Sequence, residues 1–453
     1  DEEALLALAE GLRDEADGAV SLGNRNLELY SALISDESMV RKAENAVRSA
    51  AFHYGGGGIS ERAAELLYGD RLYGSVTRIE SFNECAYKHF LRYGLMLTER
   101  QQAEVAASDI GNLYHSAIDL TFKLLKERGL SLETVNEEEL SRIGADCVIK
   151  ICEDYNNEIM QSTQRNIYMT EKVKRITIRT LKALKRQLMK GDFKVYGCEL
   201  PFNYSSERLS LHGRIDRVDR FEDESRVYVK IIDYKSGKTR FDLSMVYEGL
   251  QLQLVSYMNV AVKKIESGHG KTAVPAGIFY YNIDDPVTEY DDIADSYRDK
   301  EKREEKLYSK LKMNGLTNSD RDAIFHLDRD TAQKGGESDV IPVTLKDGSP
   351  AKRGSSVADN EAFRALLDFS EEKLESSSQE IMKGNTEIRP YRKGLMSGCD
   401  YCPYHSVCGF DTRVEGFSFR DIEGLKDDEI FGIIGEKYQR NEYKTDKLKK
   451  TDG

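Results

Sequence analysis

The sequence has no run of apolar residues long enough to cross a bilayer, and it shows no signal peptide. Its seven cysteines are an odd number, so they cannot all pair in disulfides as in a small secreted scaffold. No internal repeat is visible, which argues against a solenoid. Together these absences predict a cytoplasmic protein of a reducing compartment that makes no membrane contact.

An excess of positive charge is also missing, because the net charge is −13. A nucleic-acid partner would therefore need a local basic surface. One candidate is the stretch 172–190, which contains eight Lys or Arg residues, no acid, and apolar residues at helical spacing. It predicts a helix that either contacts phosphates or presents an ordinary solvated face.

What the sequence does contain is a pair of carboxylates and a lysine on two adjacent predicted strands. Residues 209–219 (LSLHGRIDRVD) alternate between apolar and polar, residues 226–234 (RVYVKIIDY) are β-branched and aromatic, and a polar turn joins them. Side chains in a strand repeat with period two, so Asp233 and Lys235 share a face, and strand pairing can bring Asp216 beside them. The pattern predicts that two acids and an amine converge.

Two carboxylates with a lysine suit a hard divalent cation. Mg²⁺ prefers carboxylate oxygens and can turn a bound water into a nucleophile. We interpret Asp216 and Asp233 as metal ligands. Lys235 can orient the water or offset charge that develops on a phosphorus centre. The alternative interpretation is a surface hairpin with ordinary ion pairs.

Such a metal site needs further ligands, and the sequence offers two. His115 lies on a predicted helix over 108–128 that should border the core, and Glu199 closes a short strand just before the hairpin. The alternative interpretation of His115 is a core histidine that is satisfied by a hydrogen bond.

Three of the cysteines are crowded into the segment GCDYCPYHSVCGF. The spacing of Cys399, Cys402 and Cys408 is typical of metal ligands, but three thiolates are one short of a tetrahedral zinc or an iron–sulfur cluster. The fourth ligand is either His405, within the same loop, or Cys85, far upstream. The other cysteines are expected to be buried thiols: Cys147, Cys152 and Cys198.

The segments GRIDRVDR, IIDYKSG and QLQLVSY together resemble the nuclease motif of RecB-type members of the PD-(D/E)XK superfamily. The resemblance implies an α/β, restriction-endonuclease-like core, in which a mixed sheet is flanked by helices. It also implies metal-dependent cleavage of DNA phosphodiester bonds, with Mg²⁺ or Mn²⁺ as the metal.

The resemblance assigns metal binding to His115, Asp216 and Asp233. We expect the carbonyl group of Tyr234 to add one ligand and Glu199 to be a further member of the site.

The same resemblance gives Lys235 the position of the catalytic lysine. The spacing Q-x-x-x-Y on the following helix matches Gln253 and Tyr257, which the resemblance implies help to position the site and the DNA. Spacing alone is equally typical of plain helix residues beside a core.

RecB-like nucleases with an iron–sulfur cluster carry one cysteine before the nuclease core and a C-x-x-C-x-x-x-x-x-C group after it, and this chain resembles them in both respects. The resemblance implies a structural [4Fe–4S] cluster that closes the two ends of the domain on one another. Its ligands would be Cys85, Cys399, Cys402 and Cys408.

Over roughly residues 70–415 the chain resembles AddB-type proteins, which are components of bacterial ATP-dependent helicase/deoxyribonucleases. The resemblance is carried by the segments LYGSVTRIESFNECAYKHFLRYGLMLTER, AGIFYYNIDDPV and KLKMNGLTNSDRDAIFHLD. It implies that residues 1–72 are the helical remnant of a helicase-like domain and that 73–415 form the nuclease domain. Residues 296–360, charged and then rich in Gly and Ser, are expected to be a mobile insertion with a short hairpin, and 416–453 a helical tail.

The implied partners are DNA, as a single strand emerging from duplex ends, and a motor-containing AddA-type protein in a heterodimer. The implied activity is exonuclease processing of double-strand breaks for recombinational repair, on the 5′-ended strand. Two other functions stay open at this point: a catalytically inactive DNA-binding scaffold, and a zinc-stabilised module for subunit interaction.

Overall fold

A mixed sheet lies between two layers of helices in the computed structural model. The structure describes residues 2–16, 18, 24–99, 105–155, 159–286 and 300–438. Within these ranges no helix has both the length and the apolar character that crossing a membrane requires.

The first nine helices carry the chain to the hairpin, with a π-helical turn at Phe90–Gly94 after the sixth. Helices α1 to α5 are Glu2–Ala16, Arg25–Ile34, Val40–Ala50, Glu61–Tyr68 and Val76–Glu84. Helices α6 to α9 are Ala86–His89, Ala107–Glu127, Glu137–Asp154 and Gln164–Met189. Later helices α10 to α16 are Leu243–Tyr247, Gln253–His269, Lys300–Ser309, Arg321–Leu327, Arg329–Lys334, Asn360–Met382 and His405–Cys408. A last helix covers 427–438.

The strands of the main sheet are β1 to β6 and β10. Strands β1 to β6 are Leu72–Gly74, Lys194–Ser205, Leu209–Glu222, Arg226–Lys235, Thr272–Asn282 and Asn314–Asn318. Strands β7 to β10 are Gly336–Glu337, Thr344–Lys346, Ser349–Pro350 and Val357–Ala358. Strands β11 to β13 are Tyr391–Lys393, Met396–Ser397 and Arg420–Asp421.

The main sheet has the order β1-β3-β4-β5-β6-β10, and β2 pairs with β3 as well. Strands β3 and β4 are antiparallel over residues 217–222 and 227–232, so the predicted hairpin is confirmed. Strand β4 continues parallel to β5, and β5 is antiparallel to β6. Strand β4 is buried along almost its whole length, which explains its nearly continuous apolar sequence.

Each face of the sheet is covered by its own helical layer. Alternate residues of β4 such as Tyr228 and Ile232 pack with α7, α8 and α9 on one face. The residues between them, such as Val229 and Ile231, pack with α5, α11 and α15 on the other face. Full burial of one such side chain contributes about 1.5–3 kcal/mol, so both faces of β4 hold the core together.

The segment expected to be a mobile insertion differs from that expectation. Residues 296–299 lie outside the described residues, but β6 pairs with β5 inside the main sheet, and Leu316 is buried there. Ile341 and Val343 belong to the core beside the small sheet β7-β8-β9. Short apolar stretches between charged runs concealed these buried elements in the sequence.

The regions before and after the sheet are also packed. Helices α1 to α3 share a small apolar cluster that contains Leu8 and Leu33. In the predicted tail, Ile430 and Ile434 of the last helix join the main core, and residues 439–453 lie outside the described residues.

The basic stretch 172–190 lies mainly on α9, and most of its charges already have partners. Arg175 and Arg179 both bind Asp285, and the Lys185 ammonium donates to two backbone carbonyl groups. Further ion pairs are Lys174–Glu171, Lys182–Glu137, Arg186–Glu304 and Lys190–Asp339. This pairing favours an ordinary solvated helix face over a phosphate-binding surface.

Candidate metal centre and active site

Asp216 lies where strand β3 leaves strand β4. The last paired residues of the two strands are Arg217 and Ile232, and nearer its start β3 pairs with β1 on the same side. In the gap, the Asp216 carboxylate accepts a hydrogen bond of 2.7 Å from the backbone N–H of Tyr234. The divergence of the strands thus leaves room for a carboxylate in the sheet.

The strand alternation is interrupted at this same place. Ile215 and Val218 both face the α11 side of the sheet, although strict alternation would separate them. On β2, Glu199 lies opposite Asp216, and its φ of 49° is in the left-handed region that a non-glycine residue rarely adopts. Strained backbone of this kind is typical of functional sites.

Three of the predicted metal ligands converge. Ligand atoms of His115, Glu199 and Asp216 all lie within 4.8 Å of one another. His115 projects from α7, and its Nδ1 is 3.3 Å from Asp216 Oδ2. Burial lowers the pKa of His115, but the bond to Asp216 and the nearby carboxylates outweigh it, so the pKa is raised. The imidazole is therefore held in an anionic environment, as expected beside a cation site.

Asp233 lies next to this group, and its ligand atoms are outside the 4.8 Å set. Its side chain is 2% exposed, and its Oδ2 accepts no hydrogen bond, although the Lys235 ammonium is 2.5 Å away. Burial and the charge of Asp216 raise the pKa of Asp233 to about 6. Burial and Asp216 also raise the pKa of Glu199. A buried carboxylate oxygen without a hydrogen bond, among mutually repelling acids, fits a divalent cation well.

Lys235 begins a line of side-chain hydrogen bonds. Its ammonium donates to Gln253 Oε1 at 3.2 Å, and Gln253 Nε2 donates to the Tyr257 hydroxyl at 3.0 Å. Tyr257 packs against Phe202, with ring centroids 4.9 Å apart. Both residues of the predicted Q-x-x-x-Y pair therefore border the lysine.

Tyr234 reaches the site through its backbone N–H and its ring, which meets the His115 ring edge to face at 6.0 Å. Metal binding by its carbonyl group stays a prediction.

Sequence reasoning missed one acid of the site. The Glu80 carboxylate accepts hydrogen bonds from the backbone N–H groups of Leu252 (2.7 Å) and Gln253 (3.1 Å). Burial raises the pKa of Glu80 to about 7, against those two bonds and the charge of Lys235. Glu80 and Leu252 are 172 residues apart, so no local pattern connects them. The one available signal was an acid beside the apolar positions of α5.

Four cysteines line one small cavity at some distance along the chain from these acids. They are Cys85, Cys399, Cys402 and Cys408. Burial and the three neighbouring thiols raise the pKa of Cys399 to about 12. His405 is not among the lining residues, so Cys85 is the fourth thiol at this place.

The spacing of the thiols bears on the kind of group that they could hold. Within the described ranges, no three of their sulfur atoms lie within 4.8 Å of one another. A single tetrahedral zinc, with Zn–S bonds of about 2.3 Å, would need sulfur atoms about 3.8 Å apart. A cubane spreads its thiolates more widely, so the donor set fits a [4Fe–4S] cluster better than a zinc ion.

Comparison with known proteins agrees with the geometry. Residues 74–409 match the family model of the PD-(D/E)XK nuclease superfamily. The chain is 39% identical over 90% of its length to a protein of Lachnoclostridium phytofermentans, and 35% identical over 84% to one of Clostridium tetani. A Bacillus mycoides protein is 32% identical over 90% of the chain. All three are named as the second of the lettered subunits of an ATP-dependent helicase/deoxyribonuclease.

The matched region covers 35%, 34% and 36% of these three relatives, so the chain spans about a third of their length. The predicted resemblance and the predicted fold class, a mixed sheet flanked by helices, are both confirmed. By its sequence match from strand β1 to the third clustered cysteine, the chain belongs to the PD-(D/E)XK nuclease superfamily.

Proposed function

We propose that the chain is a metal-dependent deoxyribonuclease that hydrolyses DNA phosphodiester bonds at the site around Asp216. The observation that carries this proposal is the convergence of His115, Glu199 and Asp216, with Asp233 and Lys235 beside them. Acids that repel one another in a buried site have little structural use without a cation. A lysine at their edge supplies the positive charge that phosphoryl transfer requires.

Each residue has a distinct role in the proposed reaction. Asp216, Asp233 and His115 would hold Mg²⁺ or Mn²⁺, which when bound supplies a polarised water and neutralises phosphate charge. Lys235 orients the attacking water and donates to the negative charge that develops on the phosphoryl oxygens. Glu199 adds a carboxylate opposite Asp216.

The remaining predicted residues keep Lys235 in place. Gln253 fixes the ammonium by accepting its hydrogen bond, and Tyr257 in turn anchors the Gln253 amide. A ligand held by two partners loses less freedom when the substrate binds, which favours a productive geometry.

We assign a structural role to the cluster site. Cys85, Cys399, Cys402 and Cys408 would hold a [4Fe–4S] cluster, and they belong to segments at opposite ends of the matched nuclease region. Coordination by both segments ties the start of the domain to its end.

The substrate and partner follow from the names of the relatives, which describe one component of a helicase/deoxyribonuclease with more than one subunit. We propose that the substrate is single-stranded DNA emerging from duplex ends, and that a motor-containing AddA-type protein is the partner. The process would be double-strand break repair, with cleavage of the 5′-ended strand.

The test is a Mg²⁺-dependent assay on end-labelled single-stranded DNA, with protein purified anaerobically and its iron content measured. Lys235→Ala should lower the cleavage rate by about 10²-fold or more, because it removes the charge nearest the reacting phosphate. Lys271→Ala is the matched control, since Lys271 pairs with Glu222 at the other end of these strands. Cleavage by Lys235→Ala at the wild-type rate would refute the assignment, and an inactive, iron-loaded wild type would favour the DNA-binding scaffold.

A further inference from the structure

The N-terminus of helix α11 has no cap of its own. The residue that precedes the helix, Leu252, has an aliphatic side chain and makes no side-chain cap bond. The first N–H groups of a helix have no partner within the helix, and they cost free energy when they are left unsatisfied in a protein interior. Here the partner comes from another element.

Glu80 of helix α5 supplies that partner. Its Oε1 accepts both the Leu252 N–H at 2.7 Å and the Gln253 N–H at 3.1 Å. A carboxylate at this end of a helix also interacts favourably with the helix dipole. Glu80 therefore determines where α11 begins relative to α5 and the sheet.

Gln253 connects this cap to the catalytic lysine. Its backbone N–H binds Glu80, while its side-chain oxygen accepts the bond from the Lys235 ammonium. The line of contacts from Glu80 to Lys235 thus passes through a single residue. A shift of the α11 N-terminus moves the Gln253 amide and, with it, the lysine.

We propose that Glu80 is a positioning residue, which holds Lys235 in its reactive place by capping the helix that presents Gln253. The proposal rests on the nuclease function proposed above. Glu80 acts through hydrogen bonds to backbone, and it touches neither the reacting atoms nor the metal ligands. The other ionisable groups that face it are Lys235, Glu84, Tyr257 and Tyr280.

The chemistry of a carboxamide separates this role from a purely electrostatic one. In Glu80→Gln the amide oxygen can still accept both N–H groups, although the negative charge is gone. In Glu80→Ala both N–H groups lose their acceptor. Positioning predicts that Gln retains function and Ala does not.

The experiment measures kcat and KM on single-stranded DNA for the wild type and both variants. Glu80→Ala should lower kcat by about 10- to 100-fold, since a misplacement on the order of 1 Å can have such an effect, while KM stays within about twofold. Glu80→Gln should keep kcat within about threefold of wild type. The matched control is Asp359→Ala, which removes the carboxylate cap of α15, bound to the Ala362 N–H at 2.8 Å.

Hydrogen exchange of the backbone amides gives a readout that does not need activity. The amides of Leu252 and Gln253 should exchange slowly in the wild type and in Glu80→Gln, and quickly in Glu80→Ala. An unchanged exchange rate in Glu80→Ala, or a kcat in Glu80→Gln as low as in Glu80→Ala with both amides still protected, would overturn the proposal. If the wild type does not cleave DNA, the function proposed above fails, and the exchange data still decide whether Glu80 holds this helix.

Discussion

Asp233 is the residue at which the electrostatic conflict of the site is greatest. Its carboxyl group is buried beside Asp216, and its pKa is about 6, compared with an ordinary value of about 3.9. Without a metal, the folded protein therefore retains this proton up to about pH 6, while the unfolded chain loses it near pH 4. The folded state binds more protons in this window, so its stability must fall as the pH rises from about 4 to about 6.

This sign leads to a prediction for the metal-free protein. Relative to Asp233→Asn, the wild type should lose roughly 2 kcal/mol of unfolding free energy between pH 4 and pH 6, because the variant cannot ionise. Urea denaturation in the presence of a chelator measures the difference. At pH 7, added Mn²⁺ should restabilise the wild type much more than the variant. Denaturation midpoints that change in parallel for both proteins would show that Asp233 has an ordinary pKa.

At this scale the sequence predicts some residues well and others poorly. Asp233 and Lys235 were predicted to share a face from the period of a strand, and their charged atoms are 2.5 Å apart. The left-handed backbone of Glu199 and its alignment with Asp216 depend on an irregular pairing of two strands, which no local pattern encodes. Glu80 depends on the packing of α5 against α11, a contact that forms only in the folded chain.

The element that presents both aspartates is the β3–β4 hairpin, and a buried charge cluster holds its register. Asp219 of β3 lies directly opposite Lys230 of β4 and accepts two further hydrogen bonds from Arg217, at 2.7 and 2.8 Å. All three side chains are less than 6% exposed. A slip of one residue would move each charge to the other face of the sheet, so the cluster favours a single register.

Removal of the shared acid should be severe. In Asp219→Asn two buried cations lose their counter-charge, and we expect a loss of about 3–5 kcal/mol in unfolding free energy. Chemical denaturation measures this loss, and metal affinity should fall with it because the hairpin carries Asp216 and Asp233. Glu337→Gln, at the exposed pair with Lys312, is the control and should change stability by less than about 1 kcal/mol. A small effect at Asp219 would mean that water or rearrangement screens the two cations.

Charged strand residues explain why this cluster was not predicted. Asp219 and Lys230 resemble solvent-facing positions in sequence, since most charged residues in strands are exposed. The same reasoning failed for β6, whose five residues lie between charged helices and still enter the main sheet. Tertiary burial decided both cases, whereas the long apolar strand β4 was evident from its sequence.

For the whole molecule, the thiol cavity is the place where distant segments meet. Cys85 follows directly after α5, and the other three thiols come from the segment 399–408. The N-terminal segment arrives at the same region, because the Tyr54 hydroxyl accepts the Ile388 N–H at 2.7 Å and its ring stacks on Phe417. A group bound by all four thiols would hold the two ends of the nuclease region together.

Removing one ligand tests this connection. Cys85→Ser should lose iron and sulfide and show a lower melting temperature, because the cross-link constrains a very long loop and is worth about 5 kcal/mol or more in the unfolded chain. Cys152→Ala is the matched control, since Cys152 is equally buried but lies on α8, away from the cavity. Iron, sulfide and zinc analysis of anaerobically purified protein, together with thermal unfolding, gives the result.

Two outcomes would contradict this account of the cavity. Equal iron and sulfide in Cys85→Ser and the wild type would remove Cys85 from the ligand set, and zinc in place of iron would support a zinc-stabilised module. The melting temperature adds an independent criterion, because only a ligand that joins both segments constrains the long loop. Since α5 carries Glu80 five residues before Cys85, release of this end should also speed amide exchange at Leu252 and Gln253. Loss of the cluster would then weaken the position of Lys235 without any change in the residues around the metal.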